Sequence, residues 1–347
     1  MSATTGDDPA VVTGPGVRQA AARLAGIVLK TPLLASAGLN AAVGADLVLK
    51  AECLQVTGAF KFRGAYHHLS QLSPQELSRG VIGASSGNHA QALALAARLL
   101  GAPATVVVPA DIPEVKRAAI HRLGAHVVTY ERDREDRDQK VLARSRQEHL
   151  CIVPSANSVT VMAGAGTVAL EILQDAPDID TLLVPVGGGG LAAGCAALVK
   201  TTHPRVRVIG VEPIGCNDTQ MSLRTKHPAR IVAAATIADG LRHTAPAPLA
   251  LPILAHYLDD IVTVHDDAIT EAMALAFEHL KVVLEPSGAI TLAALLGGAV
   301  AAPAPPGARL GGRMAVVLSG GNVDWATFRT VITRRHERGL SRLHRPS

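Results

Sequence analysis

Apolar and polar residues alternate in blocks along most of the chain. Short apolar runs predict buried strands, whereas the longer Ala- and Leu-rich segments between them predict helices. The predicted strands are 47–49, 81–84, 105–108, 126–130, 151–153, 182–186, 206–211 and 314–318. Strands separated by helices of this length pair in parallel through right-handed crossovers. The pattern therefore predicts an α/β fold built on open parallel sheets.

The segments between the strands carry the helical patterns. They cover 18–24, 89–100, 113–124, 131–148, 165–173, 191–200, 267–280 and 287–296, and a last helix follows residue 322. Three stretches rich in Gly, Pro or Ala predict irregular structure, namely a flexible leader at 1–15, the region 228–252 and the loop 301–312. The mixed charges of 131–138 are typical of an exposed, ion-paired helix face.

The composition predicts a core of small residues and no strongly charged binding surface. Hydrophobic residues make up 48% of the 347 residues and aromatic residues only 2%, so Ala, Leu, Val and Gly must build the core, and the length allows two domains. The net charge is +4 with a pI near 9.0. Basic residues cluster only at 334–345, without aromatic residues among them, which favours a solvated tail over a nucleic-acid surface.

Cysteine and histidine usage indicates the compartment. The four cysteines (Cys53, Cys151, Cys195 and Cys216) lie far apart in sequence, which argues for a reducing compartment and against disulfides. The histidines form no HExxH spacing, and the first ten residues do not have the pattern of a signal peptide. No stretch has the apolar length of a membrane span. The expectation is a cytoplasmic protein that binds neither membrane nor nucleic acid.

Three polar, glycine-containing loops follow predicted strands and lead into helices. They are 85–89 (SSGNH), 187–190 (GGGG) and 319–322 (SGGN). In open parallel sheets, ligands bind outside the carboxyl ends of the strands. Glycine lets backbone N–H groups converge on an anion, and the N-terminus of a helix adds partial positive charge. The loops therefore predict a site that can hold a phosphate without Arg or Lys.

The glycine loop also fits a second interpretation. Residues 187–192 match GxGxxA between a strand and a helix, and Glu212 follows 20 residues after Ala192. That is the pattern of a dinucleotide site with a ribose-binding acid, as in NAD-binding Rossmann proteins. It leaves the other two loops and Lys61 unexplained.

Lys61 lies in an apolar stretch, 57–66 (TGAFKFRGAY). Lysine is seldom buried without a partner, and desolvation among aromatic residues lowers the pKa of its amine. An amine with a lowered pKa is a nucleophile and a base near neutral pH, as Schiff-base chemistry requires. Taken alone, such a lysine could equally reach solvent from a turn.

Together these segments resemble the fold-type II enzymes of pyridoxal 5′-phosphate (PLP), in the branch of serine/threonine dehydratases and serine racemases. The resemblance runs from about Thr31 to Asp324 through TGAFKFRGA, SSGNHAQ, AGAGT, VPVGGGGL, TIADG, EPSGA and VLSGGNVD. It implies a fold like that of tryptophan synthase β, with two open-sheet α/β lobes and the active site between them. It also implies a large PLP-binding domain (1–66 and 156–330) and a small mobile domain (67–155). The basic tail (331–347) follows the last predicted helix, so no regulatory domain is expected.

The resemblance also assigns cofactor contacts. Lys61 would bind PLP covalently, Phe60 would pack near its ring, and Asn88 would bond the ring 3′-oxygen. Ser319 would face the pyridine nitrogen, and Glu285 of EPSGA is expected among the cofactor-binding residues. The phosphate would be held by Gly187, Gly188, Gly189 and Gly190.

Substrate contacts follow from the same resemblance. The substrate carboxylate would be held by Ser85, Ser86, Gly87 and His89. Arg137 occupies the place of a carboxylate-binding arginine in racemase-like members, although it lies within a charge run that equally suits solvent. The chain departs from the family at 153–157, which reads VPSAN, and at Ala165, where a glutamine is usual. Both changes affect the expected substrate preference.

The implied activity is dehydration of L-serine or L-threonine to a 2-oxo acid and ammonia, with Lys61 as the base. Two alternatives in the family are a serine racemase and a 3-hydroxyaspartate dehydratase. Ser86 bears on the first, because a hydroxyl opposite Lys61 could deliver a proton to the other face of the α-carbon. Ser86 could equally cap a helix or bind the carboxylate.

The resemblance further implies a divalent cation and a homodimer. Glu212, the Cys216 carbonyl and Asp218 match the spacing of a metal site in this branch. Carboxylate and carbonyl oxygens suit Mg²⁺, Mn²⁺ or Ca²⁺. The alternative is a pair of acids on a solvated loop.

Overall fold

Two separate β-sheets form the framework of the protein. The computed structural model describes residues 12–112, 114–232, 235–300 and 312–333. The strands within these ranges are β1 (Leu33–Leu34), β2 (Asp46–Lys50), β3 (Val81–Ala84), β4 (Ala104–Pro109), β5 (His126–Tyr130), β6 (Cys151–Ile152), β7 (Thr181–Pro185), β8 (Arg207–Pro213), β9 (Asp260–Val264) and β10 (Arg313–Val317).

The larger sheet has the order β1-β2-β10-β7-β8-β9. Every neighbouring pair is parallel except β1 and β2. The smaller sheet has the order β5-β4-β3-β6 and is parallel throughout. All its strands come from residues 81–152. Parallel sheets need helical crossovers, so helices cover their faces.

Helices connect almost all of the strands. They are α1 (Gly14–Leu24), α2 (Ala37–Val43), α3 (Lys61–Leu69), α4 (Pro74–Arg79), α5 (Asn88–Leu99), α6 (Glu114–Arg122), α7 (Arg137–Glu148), α8 (Val159–Asp175), α9 (Gly190–Thr202), α10 (Asp218–Thr225), α11 (Ala250–Tyr257), α12 (Asp266–Leu275) and α13 (Pro286–Leu296), followed by a helix at 325–333. Helix α12 continues into a π-helical turn, Ala276–Leu280, and short 3₁₀ turns occur at Glu52–Leu54, Ile214–Cys216 and Asp239–Leu241.

Side-chain caps decide where several helices begin. Ser158 accepts a hydrogen bond from the Val161 amide and starts α8, and Ser73 forms a capping box with Glu76 at α4. Asp136 caps α7 by accepting from the Gln139 amide. The prediction of a helix over 131–148 was therefore wrong at its start, because the cap places the first helical residue at Arg137.

The larger sheet is buried on both faces. Alternate residues of a strand point to opposite sides, so Ala315 and Val317 of β10 pack under α1, α8, α9 and α11. Met314 and Val316 pack under α2, α12 and α13 on the other face. A third cluster joins α3 and α5 to the smaller sheet. The three clusters hold the carboxyl ends of the strands at fixed positions.

Glycines allow unusually close helix contacts. A Cβ at Gly194 of α9 would clash with the Met162 carbonyl oxygen of α8. A Cβ at Gly164 would lie 2.6 Å from the Arg63 carbonyl oxygen, and one at Gly64 would lie 2.8 Å from the Val161 carbonyl oxygen. Helices α3, α8 and α9 therefore approach one another through their backbones, which suits a core poor in aromatic residues.

A buried network of four charges lies beneath α3. The Arg63 guanidinium donates to Glu52 at 2.8 Å and to Glu171 at 2.6 Å. Lys50 donates to Glu171 at 2.5 Å and to the Thr31 carbonyl oxygen at 2.6 Å. Arg63, Lys50 and Glu52 are each 0% exposed. Burial raises the pKa of Glu52, but Arg63, Thr31 and Lys50 outweigh burial and hold that pKa below its usual range.

The sequence did not predict several of the helices and strands that the structure contains. The predictions missed α2, α3, α4, α10, α11, β1 and β9, and α1 begins at Gly14, inside the predicted leader. Residues 331–333 of the predicted tail are helical. The remainder of the leader (1–11), Pro113, most of the 301–312 loop and the tail from residue 334 lie outside the described residues. Within the described residues, every helix is too short or too polar to cross a membrane.

We expect Arg63→Met to reduce the free energy of unfolding by about 3–5 kcal/mol, because it leaves the Glu52 carboxylate buried without its main partner. Urea denaturation monitored by circular dichroism measures the change. Arg132→Met is the matched control, since Arg132 pairs with Asp111 at the surface and should lose less than about 1 kcal/mol. Equal effects of the two substitutions would contradict a structural role for the network.

Candidate active site

The segment that carries Lys61 is held against the end of β10. Ala59 and Gly320 form an antiparallel bridge. The Phe60 amide donates to the Ser319 carbonyl oxygen at 3.1 Å, and the Gly321 amide donates to the Gly58 carbonyl oxygen at 2.9 Å. These backbone bonds bring the predicted lysine motif and the predicted SGGN loop together.

Lys61 is the first residue of α3, and its side chain is half-buried. Its Nζ donates to the Ser155 carbonyl oxygen at 2.9 Å and lies 5.0 Å from the centroid of the Phe60 ring. Burial lowers the pKa of Lys61 to about 8, although the charge of Glu285 opposes the shift. Roughly a tenth of the amine is then neutral at pH 7. Lys61 can act as a nucleophile and as a base.

The glycine loop 187–190 lies between β7 and the first turn of α9. Gly189 has φ +85° and is the residue before α9. A Cβ at Gly187 would lie 3.0 Å from the His243 ring, and one at Gly190 would lie 3.1 Å from the Ala156 backbone. The loop is thus a narrow cradle of backbone amides at a helix N-terminus, and its shape and polarity fit the phosphate of PLP.

Asn88 and Glu285 meet between the smaller and the larger sheet. Asn88 Nδ2 donates to Glu285 Oε1 at 2.5 Å. Asn322 Nδ2 donates to Asn88 Oδ1 at 2.8 Å and to the Thr57 carbonyl oxygen at 2.7 Å. Asn322 therefore links three segments that the sequence had marked separately. Its place in SGGN was the only sign of this role in the sequence.

Ser319 places a neutral hydroxyl at the end of β10. The residue is 4% exposed, and its Oγ donates to the Ser287 carbonyl oxygen at 3.3 Å. A hydroxyl can donate or accept, so it can face a ring nitrogen without forcing that nitrogen to be protonated. Ser319 thus fits the predicted partner of the pyridine nitrogen.

The SSGNH loop connects β3 with α5. Ser85 Oγ accepts from the Gly87 amide at 3.1 Å, and Ser86 is half-buried beside it. His89 is buried, and its Nε2 is 3.0 Å from the Val153 carbonyl oxygen. Burial and the nearby Lys61 charge lower the pKa of His89 to about 3. His89 is therefore neutral and bonded to the protein, so a substrate role for its Nε2 would require that contact to break.

Arg137 begins α7 and lies at the edge of this region. Its side chain is 52% exposed and binds Asp138 through Nε at 2.8 Å and Nη2 at 3.2 Å. Its charge acts on both His89 and His243. The residue is therefore close enough to influence the pocket electrostatically, while its present hydrogen-bond partner is Asp138.

The acids near α10 form a separate polar cluster. Glu212 is fully buried and accepts from the Thr219 amide at 3.1 Å and the Gln220 amide at 2.9 Å. Burial raises the pKa of Glu212 to about 8 and that of Asp218 to about 6. Neither carboxylate oxygen of Asp218 has a hydrogen-bond partner in the described structure. The Glu212 carboxylate is thus bound to α10, which leaves it poorly placed for the ribose of a dinucleotide.

This acidic cluster fits a hard cation. The 3₁₀ turn Ile214–Cys216 lies between the two acids in the sequence. A cation would supply the partner that the Asp218 oxygens lack. The described residues contain no group of three or more His, Cys, Asp or Glu side chains that could hold a metal. A site here would need the predicted Cys216 carbonyl to complete it.

Comparisons with known proteins place this fold and pocket in one class. A family model described as "Pyridoxal-phosphate dependent enzyme" matches residues 24–320. The chain is 40% identical over 308 residues to a serine racemase of Oryza sativa subsp. indica, covering 89% of this chain and 90% of that protein. It is 39% identical over 327 residues to an L-threo-3-hydroxyaspartate ammonia-lyase of Saccharomyces cerevisiae, with 94% and 98% covered.

A solved structure gives the same result. The serine racemase of maize superposes with a TM-score of 0.87 at 36% identity, covering 95% of this chain and 99% of that one. The fold and the lysine pocket define an α/β enzyme of the PLP-dependent class. The chain belongs to the family of pyridoxal-phosphate dependent enzymes. The predicted family, fold class and cofactor are confirmed, whereas the individual roles of the site residues stay predictions.

His243 is a site residue that the sequence did not indicate. It follows the 3₁₀ turn Asp239–Leu241, inside the region predicted to be irregular, and its ring packs on the glycine loop. Burial and the charge of Lys61 lower its pKa to about 4. Only its position shortly after the TIADG motif could have drawn attention to it.

We expect PLP to bind covalently to the apoenzyme faster as the pH rises, with the rate levelling off above about pH 8. The reason is that neutral Lys61 is the reactive form. A stopped-flow pH series with added PLP measures this rate. A free lysine side chain, with a pKa of 10.5, is the control, and its reaction with PLP should continue to accelerate to higher pH. An identical pH profile for protein and free lysine would contradict a lowered pKa for Lys61.

Proposed function

We propose that this protein removes water from a β-hydroxy amino acid of the serine and threonine type, giving a 2-oxo acid and ammonia. The observation that carries the proposal is the Lys61 amine, whose pKa is lowered by burial and which donates to the Ser155 carbonyl oxygen, because the next residue, Ala156, packs on the glycine loop. Relatives named as ammonia-lyases and as a threonine deaminase support the reaction class.

The cofactor contacts would come from the three loops and Lys61. The amides of Gly187, Gly188, Gly189 and Gly190 would hold the phosphate. Lys61 would bind PLP covalently, with Phe60 beside the ring. Asn88, with Glu285 behind it, would contact the ring oxygen, and Ser319 would face the ring nitrogen. When bound, PLP supplies an electron sink that stabilises negative charge on the α-carbon.

The residues of the chain then perform the proton transfers. Once the substrate amine has displaced it from the cofactor, the Lys61 amine removes the α-proton, and this proton leaves with the β-hydroxyl as water. The unsaturated amine that is released hydrolyses to the 2-oxo acid and ammonia. Because Ser319 does not enforce a protonated ring, negative charge on the α-carbon is stabilised less, which favours rapid loss of the leaving group over a long-lived carbanion.

The substrate would be oriented by the loop before α5. The Ser85 and Ser86 hydroxyls and the Gly87 amide would hold its carboxylate near the positive end of the helix, and His89 would join them once its Nε2 leaves the Val153 carbonyl oxygen. Arg137 would help once it leaves Asp138. We also propose that residues 67–155, which carry the smaller sheet, form a mobile small domain that closes over the substrate against the large domain of 1–66 and 156–330, with α3 spanning the boundary between the two.

We further propose that Glu212, the Cys216 carbonyl and Asp218 bind Mg²⁺, Mn²⁺ or Ca²⁺. The raised pKa values of both acids and the unpartnered Asp218 oxygens support this site. The ion would neutralise buried charge next to β8 and so act on stability rather than on the reacting atoms. A homodimer and a cytoplasmic location remain predictions from the family resemblance.

Lys61→Ala should abolish both the visible absorbance of bound cofactor and ammonia release, since the covalent anchor and the base are lost. Ammonia release from serine, threonine and 3-hydroxyaspartate, with and without Mg²⁺, measures the activity. Lys30→Ala is the control, because Lys30 is an exposed lysine paired with Asp175, and it should keep both properties. A Lys61→Ala protein that retains both would refute the proposal.

Racemisation of serine is a second candidate. A half-buried hydroxyl at Ser86 in the substrate loop favours it, as does a relative named serine racemase. Ser86 would give a proton to the face of the α-carbon opposite Lys61.

Chiral chromatography of serine after incubation tests the racemase candidate. Ser86→Ala should lose D-serine formation by about tenfold or more while ammonia release falls less, because elimination needs no second proton donor. Ser78→Ala, on the exposed surface of α4, is the control. Absence of D-serine from the wild-type reaction would remove this candidate.

A further inference from the structure

His243 is a polar side chain in the pocket that neither the covalent anchor nor the proton transfers use. Its backbone amide donates to the Leu241 carbonyl oxygen at 2.9 Å, which fixes the residue at the end of the 3₁₀ turn. Its Nδ1 would lie 3.0 Å from a Cβ at Gly187, and its Nε2 would lie 3.3 Å from a Cβ at Gly188. The imidazole therefore forms part of the wall beside the glycine loop.

The ring has an unmet hydrogen-bonding capacity. His243 Nδ1 is buried and has no hydrogen-bond partner among the described residues. A buried polar nitrogen without a partner is rare, and it usually marks a place where a bound group completes the site. In the tautomer with a hydrogen on Nδ1, this nitrogen offers a donor to an incoming oxygen.

The charges around His243 favour an anion. Lys61 and Arg137 are the charged groups that act on the ring, and both are cations. Lys61 begins α3 and Arg137 begins α7, so the two cations come from different helices. The backbone amides of the glycine loop already provide donors for the cofactor phosphate. The additional donor and the distant arginine therefore point to negative charge on the substrate.

We propose that His243 donates a hydrogen bond to a carboxylate on the side chain of the substrate, so that a dicarboxylic β-hydroxy amino acid is preferred over serine and threonine. This inference rests on the proposed elimination and names its substrate class. The α-carboxylate binds at the loop before α5, and the side-chain carboxylate binds at His243 with Arg137 as a more distant cation. His243 determines specificity and takes no part in the proton transfers.

The experiment compares kcat/KM of the holoenzyme for L-threo-3-hydroxyaspartate and for L-serine in wild type, His243→Leu and His243→Asn. In His243→Leu the ratio of the two values should fall by about tenfold or more, mainly through KM, because a donor to a charged group is lost. His243→Asn keeps an N–H donor and should restore part of the ratio. A ratio taken within one preparation is unaffected by partial misfolding.

His121→Leu is the matched control, since His121 is exposed on α6 and should leave the ratio at the wild-type value. An unchanged ratio in His243→Leu would overturn the proposal. An equal fall in kcat/KM for both substrates, together with weaker retention of PLP, would also overturn it, because that result assigns His243 to the cofactor phosphate.

A binding measurement separates this inference from the proposed reaction. Succinate and butyrate have the same chain length and differ by one carboxylate, and each can be titrated against holoenzyme by the change in cofactor absorbance. We expect tighter binding of succinate in wild type and loss of that difference in His243→Leu. If no β-hydroxy amino acid releases ammonia, the proposed elimination is refuted. The difference in affinity between succinate and butyrate still tests the role of His243 in that case. Equal binding of the two acids by wild type would refute the anion site itself.

Discussion

The position of the reactive lysine depends on a charge network in the protein interior. Arg63 is one half-turn beyond Lys61 in α3, and its buried guanidinium bonds the buried Glu52 and the partly exposed Glu171. Glu52 belongs to the 3₁₀ turn after β2, and Glu171 belongs to α8. The Arg63 side chain therefore connects α3 both to the turn after β2 of the larger sheet and to α8. Buried charges are costly unless each is paired, so the four residues are stable only as a set.

Glycines at the helix contacts also help to fix the position of α3. Gly64 and Gly164 allow α3 and α8 to approach through their backbones, and Gly194 does the same for α8 and α9. Helix α9 begins at the glycine cradle, and α3 begins at Lys61. Close packing of α3 and α9 on α8 therefore fixes the distance between the covalent anchor and the phosphate site. A core with larger side chains would move the two apart.

The sequence predicted the elements that carry a simple hydrophobic period, and it missed those with mixed faces. Strands such as β3 and β5 were predicted at their observed bounds, because both are short segments that contain two β-branched aliphatic residues and lie between turns. Helix α3 was missed since its buried face includes Arg63, Gly64 and His67, which are not apolar. Motifs located Lys61 and the three loops. The contacts of Asn322 and His243 depend on the tertiary fold, which no local pattern encodes.

The bridge between Ala59 and Gly320 also has a consequence for the order of folding. The hydrogen bond from Asn322 to Thr57 joins residues 265 positions apart, and β10 lies between β2 and β7 in the sheet. During synthesis the larger sheet therefore cannot be completed until β10 has left the ribosome, although β2 is made much earlier. Contacts so distant in sequence form slowly. A nascent or truncated chain that lacks β10 would have Lys61 but could not assemble its pocket, so cofactor capture can report the completion of folding.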